Sequence, residues 1–167
     1  MKIFVDADAC PVRSEIERIA LKRSVTVVHV CALAEMKRES EGVEIVFLPA
    51  GPDAVDDWIV ERAGAGDIVV TYDIPLAAAA VRRGGVVIEF RGRELTPGNI
   101  GDRLQARNAS AFLRDHGIHT SGPSPFTKTD RKNFSSKFAE ILDREIRKSR
   151  VPANEERQNS AALEGGK

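Results

Sequence analysis

Short apolar runs along the first 90 residues are separated, for the most part, by segments of helical periodicity. The runs are rich in Val and Ile, which is typical of buried strands. The predicted strands span residues 2–5, 25–30, 43–48, 68–71 and 86–90. The predicted helices between them span residues 11–22, 53–63 and 75–83. Strands that alternate with helices imply right-handed crossovers and a mainly parallel sheet, and the sequence therefore predicts an α/β fold.

The pattern changes after residue 90. A polar loop and a further helix are predicted there, over residues 91–99 and 100–116. Thr127 and Asp130 have the spacing of a capping box, which predicts the start of a last helix. That helix repeats Phe134 and Phe138 at helical intervals, so we expect one apolar face that packs on the core.

Composition indicates one globular domain. The chain has 167 residues, of which 42% are hydrophobic and 30% are charged. We expect a single domain over residues 1–150 and a disordered polar tail over residues 151–167. No apolar stretch approaches the ~18 residues of a membrane span, and no secretory signal is evident, so a cytoplasmic location with no membrane contact is expected. Cys10 and Cys31 are then expected to be reduced thiols.

Charge is distributed unevenly, although the net charge is zero. Residues 1–75 hold 8 basic and 14 acidic side chains, a net charge of −6. Residues 76–167 hold 17 basic and 11 acidic side chains, a net charge of +6. An acidic half joined to a basic half suits a metal site that faces a polyanion, although surface charge varies along any sequence.

Two carboxylates follow the first predicted strand. Asp6 and Asp8 stand between that strand and Pro11, which is predicted to open a helix. They therefore lie at the carboxyl edge of the sheet, where open α/β folds bind their ligands. Carboxylates one residue apart repel each other unless a cation joins them, and a divalent metal is the simplest candidate.

Two further acidic sites can reach the same edge. Asp56 and Asp57 lie where a loop enters a helix, and Asp73 follows the fourth strand. If the first and fourth strands are neighbours, Asp6, Asp8 and Asp73 meet there. One or two hard cations such as Mg²⁺ would suit such oxygen ligands, and two metals about 3.5–4 Å apart can cleave phosphodiesters.

Each aspartate also has a purely structural interpretation. Asp8 and Asp73 precede prolines that start predicted helices, so either could be a helix cap, and Asp53 could cap another. Asp56 and Asp57 would complement the dipole of their helix. Capping and metal binding are compatible, and the case for a site depends on convergence of the acids at one edge.

Basic and aromatic residues are candidates for contacts with nucleic acid. Seven side chains are candidate phosphate ligands, although ordinary solvated surface charge is an equal alternative. They are Arg91, Arg93, Arg103, Arg107, Lys128, Arg131 and Lys132. Tyr72 and Trp58 could stack on bases, and for Trp58 packing in the core is the favoured interpretation.

The chain also contains longer motifs: Val5-Asp6-Ala7-Asp8-Ala9-Cys10-Pro11, Gly51-Pro52-Asp53, Trp58-Ile59-Val60, Gly66-Asp67-Ile68-Val69-Val70-Thr71-Tyr72-Asp73-Ile74-Pro75, Asn99-Ile100-Gly101, Gly122-Pro123 and Asp130-Arg131. Over about residues 1–148 these motifs resemble those of the bacterial YaiI/YqxD family, a branch of the PIN-like nuclease superfamily. The resemblance implies a three-layer PIN-like, Rossmann-like domain with a mainly parallel sheet of about five strands and extra C-terminal helices.

The resemblance also implies roles for the acidic residues. PIN-like relatives are often Mg²⁺- or Mn²⁺-dependent ribonucleases, so RNA is the expected partner, although the family itself has no firmly assigned function. Asp6 resembles the acid of the first strand, Asp56 that of the middle helix, and Asp73 that of the fourth strand. These three would hold the metal, and Asp8 or Asp57 would orient the attacking water.

Two alternatives stay open at this point. One is a non-catalytic RNA-binding module with the same fold. The other is a phosphatase of the haloacid-dehalogenase type, in which Asp6 of the Asp6-Ala7-Asp8 pattern would be the nucleophile. Cys10 stands where that class prefers Thr or Val, and no clear later lysine site is present. The choice between RNA and DNA and the oligomeric state are not specified by the sequence.

Overall fold

A computed structural model describes residues 1–32, 40–51, 53–117 and 124–150. In the described residues the chain forms six strands and five helices. The strands are β1 (Ile3–Asp6), β2 (Val27–Cys31), β3 (Val43–Phe47), β4 (Ile68–Val70), β5 (Val86–Ile88) and β6 (Glu94–Leu95). The helices are α1 (Arg13–Leu21), α2 (Ala54–Arg62), α3 (Ile74–Arg82), α4 (Ile100–Asp115) and α5 (Lys128–Arg150).

The six strands form one sheet in the order β3-β2-β1-β4-β5-β6. The first five strands are parallel, and β6 pairs with β5 in the antiparallel direction. Strand β1 pairs with β2 on one side and with β4 on the other, with Ile3 opposite both Val27 and Ile68. The strand order therefore reverses at β1, and the carboxyl ends of β1 and β4 form the crevice where such sheets bind ligands.

Helices cover both faces of the sheet because its central strands are apolar on both sides. Helices α1 and α5 pack on one face, where Ile16, Phe134 and Phe138 are fully buried. Helices α2 and α3 pack on the other face through Ile59 and Leu76. The predicted α/β class with a mainly parallel sheet is confirmed, and its two helical layers leave the carboxyl edge of the sheet accessible.

The sequence prediction missed one strand. A polar loop was expected over residues 91–99, yet Glu94–Leu95 forms β6 beside β5. The pairing is possible because the backbone turns at Gly92, and Leu95 is buried against the sheet. Two residues are too short for any period to show in a sequence. The expected tail over residues 151–167 lies outside the described residues.

Helix boundaries differ from the prediction by one or two residues. Pro11 lies in a turn before α1 instead of opening it, and the helix begins at Arg13. The capping box is confirmed: the Asp130 N–H donates to the Thr127 hydroxyl, and the Thr127 N–H donates to the Asp130 carboxylate. In the described part of the chain, no helix is long and apolar enough to cross a membrane.

Salt bridges join α5 to the rest of the fold. Arg131 contacts Glu15 on α1 at 2.8 Å, and Arg144 contacts Glu94 on β6 at 2.6 Å. The stacked rings of Phe134 and Phe138 lie beneath these bridges with their centroids 5.4 Å apart. Helix α5 is therefore part of the core, and its first turn is held close to the loop that follows β5.

Candidate active site at the carboxyl edge of the sheet

One hydroxyl group connects the acids that follow β1 and β4. The Thr71 hydroxyl donates a hydrogen bond to Oδ2 of Asp6 at 3.0 Å and accepts one from the Asp73 N–H at 3.0 Å. Thr71 is fully buried, so the link is shielded from water. The predicted adjacency of the first and fourth strands is confirmed, and it brings Asp6 and Asp73 to one place on the sheet edge.

Asp73 also caps a helix. Its Oδ1 accepts a hydrogen bond from the Leu76 N–H at 2.8 Å at the start of α3. The structural interpretation of Asp73 as a cap is therefore correct. Because Oδ2 has no part in that bond, capping fixes the orientation of the carboxylate while a second oxygen is left for a ligand.

Asp56 comes to the same edge from the first turn of α2. Burial raises the pKa of Asp56 to about 6, and the charges of Asp73 and Asp6 add to the shift. The pKa of Asp6 is also raised, chiefly by burial, and the hydrogen bond from Thr71 opposes the shift. Repulsion among the three carboxylates shows that they share one electrostatic environment, which a cation would stabilise.

The two additional acids, Asp8 and Asp57, are more exposed. Both carboxylate oxygens of Asp8 accept hydrogen bonds from the Ala32 N–H, at 3.2 and 3.1 Å, which ties the turn after β1 to the end of β2. Asp8 is therefore not the cap of α1, because that position is occupied by Val12. Asp53 is the residue just before α2, at its N-cap position, but its side chain makes no capping bond. Asp57 is exposed in the first turn of α2, on the solvent side.

The donor set suits a hard cation, but the side chains do not enclose one. Among the described residues, no group of three or more His, Cys, Asp and Glu side chains is arranged closely enough to hold a metal ion. Mg²⁺ keeps several of its waters and binds through only one or two protein carboxylates. Asp6 and Asp73 meet that smaller requirement in chemistry, and Asp56 adds a third carboxylate whose pKa responds to the charges of both.

The seven basic candidates fall into two groups. Arg91, Arg103 and Arg131 are engaged in ion pairs with Asp130, Glu89 and Glu15, respectively. The others have exposed side chains: they are Arg93, Arg107, Lys128 and Lys132. The first group therefore helps to hold the fold together, and the second group is available to a phosphate backbone.

Two residues of the site were not recognised in the sequence, Thr71 and Glu89. Glu89 follows β5, is only 4% exposed, and pairs with Arg103 of α4. Its signal was present, because a charged residue within the apolar run of residues 86–90 requires a buried partner. Thr71 gave no comparable signal, since its role depends on which strands are neighbours.

Two grooves flank Tyr72, which directly precedes Asp73. The first, which we call the aromatic groove, has a volume of about 250 Å³ and is lined by Pro11, Tyr72, Phe90, Arg91 and Phe126. The second, the arginine groove, has a volume of about 290 Å³ and is lined by Tyr72, Asp73, Arg103, Arg107, Ser110 and Arg114. Trp58 lies in neither groove, and its ring packs edge-on against Phe4 as the core interpretation predicted.

Comparison with known proteins shows that the sequence matches a family. A family model described as "Uncharacterized BCR, YaiI/YqxD family" matches residues 4–144. A UPF0178 protein of Cereibacter sphaeroides is 42% identical over 161 residues, which cover 96% of this chain and 98% of that protein. A UPF0178 protein of Bradyrhizobium diazoefficiens is 44% identical over 160 residues, covering 96% and 95%. No solved structure matches the chain significantly.

Proposed function

The chain belongs to the YaiI/YqxD family, as its motifs predicted, and we propose that it is a PIN-like nuclease. In this proposal it hydrolyses phosphodiester bonds, with RNA as the expected substrate, and depends on Mg²⁺ or Mn²⁺. One observation carries the proposal: Asp6 and Asp73 come from neighbouring strands at the point where the strand order reverses, and Thr71 joins them. That point is the general ligand site of open α/β sheets.

The electrostatics of the acids support a cationic ligand. Burial and mutual repulsion raise the pKa values of Asp6 and Asp56, so charging these groups together is unfavourable in the protein alone. Such repulsion at the crevice lowers the stability of the fold, so it has no structural benefit. The arrangement is understandable if the charged acids serve a ligand of opposite charge.

In this proposal, each residue of the site has a separate role in hydrolysis. Asp6 and Asp73 would hold the metal, with Asp56 completing the acidic wall, and a bound divalent cation supplies Lewis acidity at the phosphate. Asp8 or Asp57 would orient the attacking water by accepting a hydrogen bond from it. Thr71 fixes the Asp6 carboxylate in position, and the exposed arginines of α4 bind the phosphates on either side.

A non-catalytic nucleic-acid-binding module is the second candidate. It is favoured by the grooves beside Tyr72, which would bind a strand whether or not cleavage occurs, and by the lack of a three-ligand cluster among the described residues. The two functions share a binding surface, and they differ in the need for Asp6 and Asp73.

Cleavage assays with single substitutions test the proposal. Purified protein is incubated with labelled single-stranded RNA and DNA in Mg²⁺, in Mn²⁺ and in EDTA. We expect metal-dependent cleavage that falls at least about 100-fold in Asp6→Asn and in Asp73→Asn, because each substitution removes a charged ligand from the reacting centre. Binding of RNA in EDTA should persist in both variants.

The control is Asp102→Asn, which removes an exposed acid from the first turn of α4, outside the carboxyl edge. It should cleave at the rate of the unsubstituted protein. Failure of the unsubstituted protein to cleave any RNA or DNA with either metal would reject the nuclease. RNA binding in the same experiment would then support the binding module. Equal cleavage by Asp6→Asn would show that the activity comes from elsewhere.

A further inference from the structure

We propose that the aromatic groove binds one unpaired nucleobase, and that the arginine groove carries the phosphates of the same strand across Asp73. The inference deepens the proposed function and rests on it for the nature of the ligand. It adds a base-binding subsite, formed by Tyr72 and Phe126, and a path for the strand from one groove to the other.

Tyr72 forms one wall of the aromatic groove and is held in a fixed orientation. Its ring is 40% exposed and stacks on Phe90, with centroids 6.0 Å apart and an angle of 22° between the planes. Arg103, which is anchored by its ion pair with Glu89, lies within interaction range of the Tyr72 hydroxyl. An exposed and immobilised aromatic face of this kind is a stacking platform for a base.

Phe126 contributes a second aromatic surface to the groove and is itself positioned by cations. The guanidinium of Arg91 lies 5.8 Å from the centre of the Phe126 ring, and that of Arg131 lies 5.5 Å from it. Arg91 is fixed in turn by its 2.7 Å ion pair with Asp130 of the capping box. The groove therefore combines three aromatic side chains, Tyr72, Phe90 and Phe126, with the planar guanidinium of Arg91 at its rim, and these surfaces suit the flat face of a base.

The arginine groove begins where the aromatic groove ends. Tyr72 lines both, and Asp73 lines the second, so a strand that passes from one groove to the other crosses the acidic edge. Arg107 and Arg114 lie on the same groove two turns of α4 apart, and both side chains are exposed. Two turns of helix span about 10 Å, so the two side chains can bind separate phosphates of an extended strand.

The geometry favours single strands over duplexes. In a duplex, both faces of each base are covered by its neighbours, so no base is free to enter a recess of about 250 Å³. An unstacked base can occupy the groove with its face on Tyr72 while its phosphates stay on the surface. The ligand that fits this combination of walls and charge is a single-stranded nucleic acid.

Binding measurements in EDTA test the subsite separately from cleavage. Fluorescence anisotropy is recorded with a short single-stranded RNA, with its duplex, and with versions that carry one abasic ribose at each position in turn. We expect tighter binding of the single strand than of the duplex. Loss of a single stacked base should weaken binding about 5- to 150-fold at one position only.

Substitutions identify the groove. Tyr72→Ala should weaken binding of the intact strand by a similar factor, and the affinity of this variant should no longer depend on the position of the abasic ribose. Tyr72→Phe should restore both properties. Phe126→Leu keeps an apolar side chain in the core and should show a smaller loss of the same kind. Phe47→Ala is the matched control, because Phe47 is an aromatic residue of comparable exposure, 50% against 40% for Tyr72, on the edge strand β3.

The outcomes separate the two proposals. If the affinity is unchanged by Tyr72→Ala and by an abasic ribose at every position, the subsite is overturned, even if the protein cleaves RNA. Binding that depends on Tyr72 in a protein that never cleaves supports the subsite and rejects the nuclease. A loss in Phe47→Ala equal to that in Tyr72→Ala would also overturn the subsite, because the effect would then not depend on the groove.

Discussion

At the scale of single residues, Asp56 carries an unfavourable charge. Burial, with the charges of Asp73 and Asp6, raises its pKa from 3.8 to about 6 in the folded protein. Between these values the unfolded chain releases a proton that the folded chain keeps, so stability falls as the pH rises through this range. Above pH 6 the ionised Asp56 lowers the free energy of unfolding by its full amount, unless a cation neutralises the site.

Substitution of Asp56 by Asn should therefore stabilise the protein at neutral pH. In EDTA we expect the free energy of unfolding at pH 7.5 to rise by about 1–2 kcal/mol, after allowance for solvent screening of a half-buried group. The gain should largely disappear near pH 3, where the Asp56 side chain is mostly protonated in the folded and the unfolded chain alike. Denaturant titrations at the two pH values measure this.

Asp57→Asn is the control for this prediction, because Asp57 is the neighbouring acid on the same helical turn and is exposed. It should change stability little at either pH. A stability of Asp56→Asn that is equal to or below that of the unsubstituted protein at pH 7.5 would contradict the electrostatic description of the site.

At the scale of elements, the turn between β5 and β6 holds the sheet edge against α5. Gly92 has φ +85°, and a Cβ atom at this position would lie 2.9 Å from the Asn133 carbonyl oxygen. Only glycine combines that backbone conformation with so close an approach. This turn also positions Arg91, which lines the aromatic groove.

Gly92→Ala should destabilise the protein by about 2–4 kcal/mol, because a left-handed conformation and contact with rigid backbone both become unfavourable. Thermal and denaturant unfolding measure the change. Gly101→Ala is the control, since Gly101 lies inside α4 with open space around its Cα, and there alanine should raise stability by up to about 1 kcal/mol. Equal effects at the two positions would contradict the steric argument.

The sequence predicted the regular elements of the fold because their patterns are local. The Val- and Ile-rich runs defined β1 to β5, and the capping box at Thr127 defined the start of α5. Strand β6 was missed because two residues carry no period, and its pairing depends on a turn at Gly92. Pro11 was assigned to α1 because proline favours first turns, yet it lies in the turn before the helix.

The part of the candidate site that lies at the ends of strands could be predicted from the sequence. The positions of Asp6 and Asp73 after apolar runs led to the expectation that they meet, and the pairing of β1 with β4 brings this about. The link through Thr71 could not be predicted, and the apolar run around Glu89 indicates a buried partner without showing that it is Arg103, because both contacts depend on tertiary packing. The involvement of Arg91, Arg103 and Arg131 in ion pairs was equally beyond the local pattern.

At the scale of the whole molecule, the two oppositely charged halves of the chain meet at the carboxyl edge of the sheet. Residues 1–75, with a net charge of −6, supply Asp6, Asp56 and Asp73. Residues 76–167, with a net charge of +6, supply the α4 side of the arginine groove. The acids are thus placed next to a cationic surface, which is the arrangement that the proposed phosphodiester hydrolysis requires.

Diffraction from crystals soaked in Mn²⁺ tests the central claim most directly. The account predicts an anomalous peak at the carboxyl edge of the sheet, within about 2–2.5 Å of a carboxylate oxygen of Asp6 and of Asp73, and no such peak in crystals of Asp6→Asn. Crystals that bind no Mn²⁺ at this edge, or that bind it equally in the variant, would contradict the account.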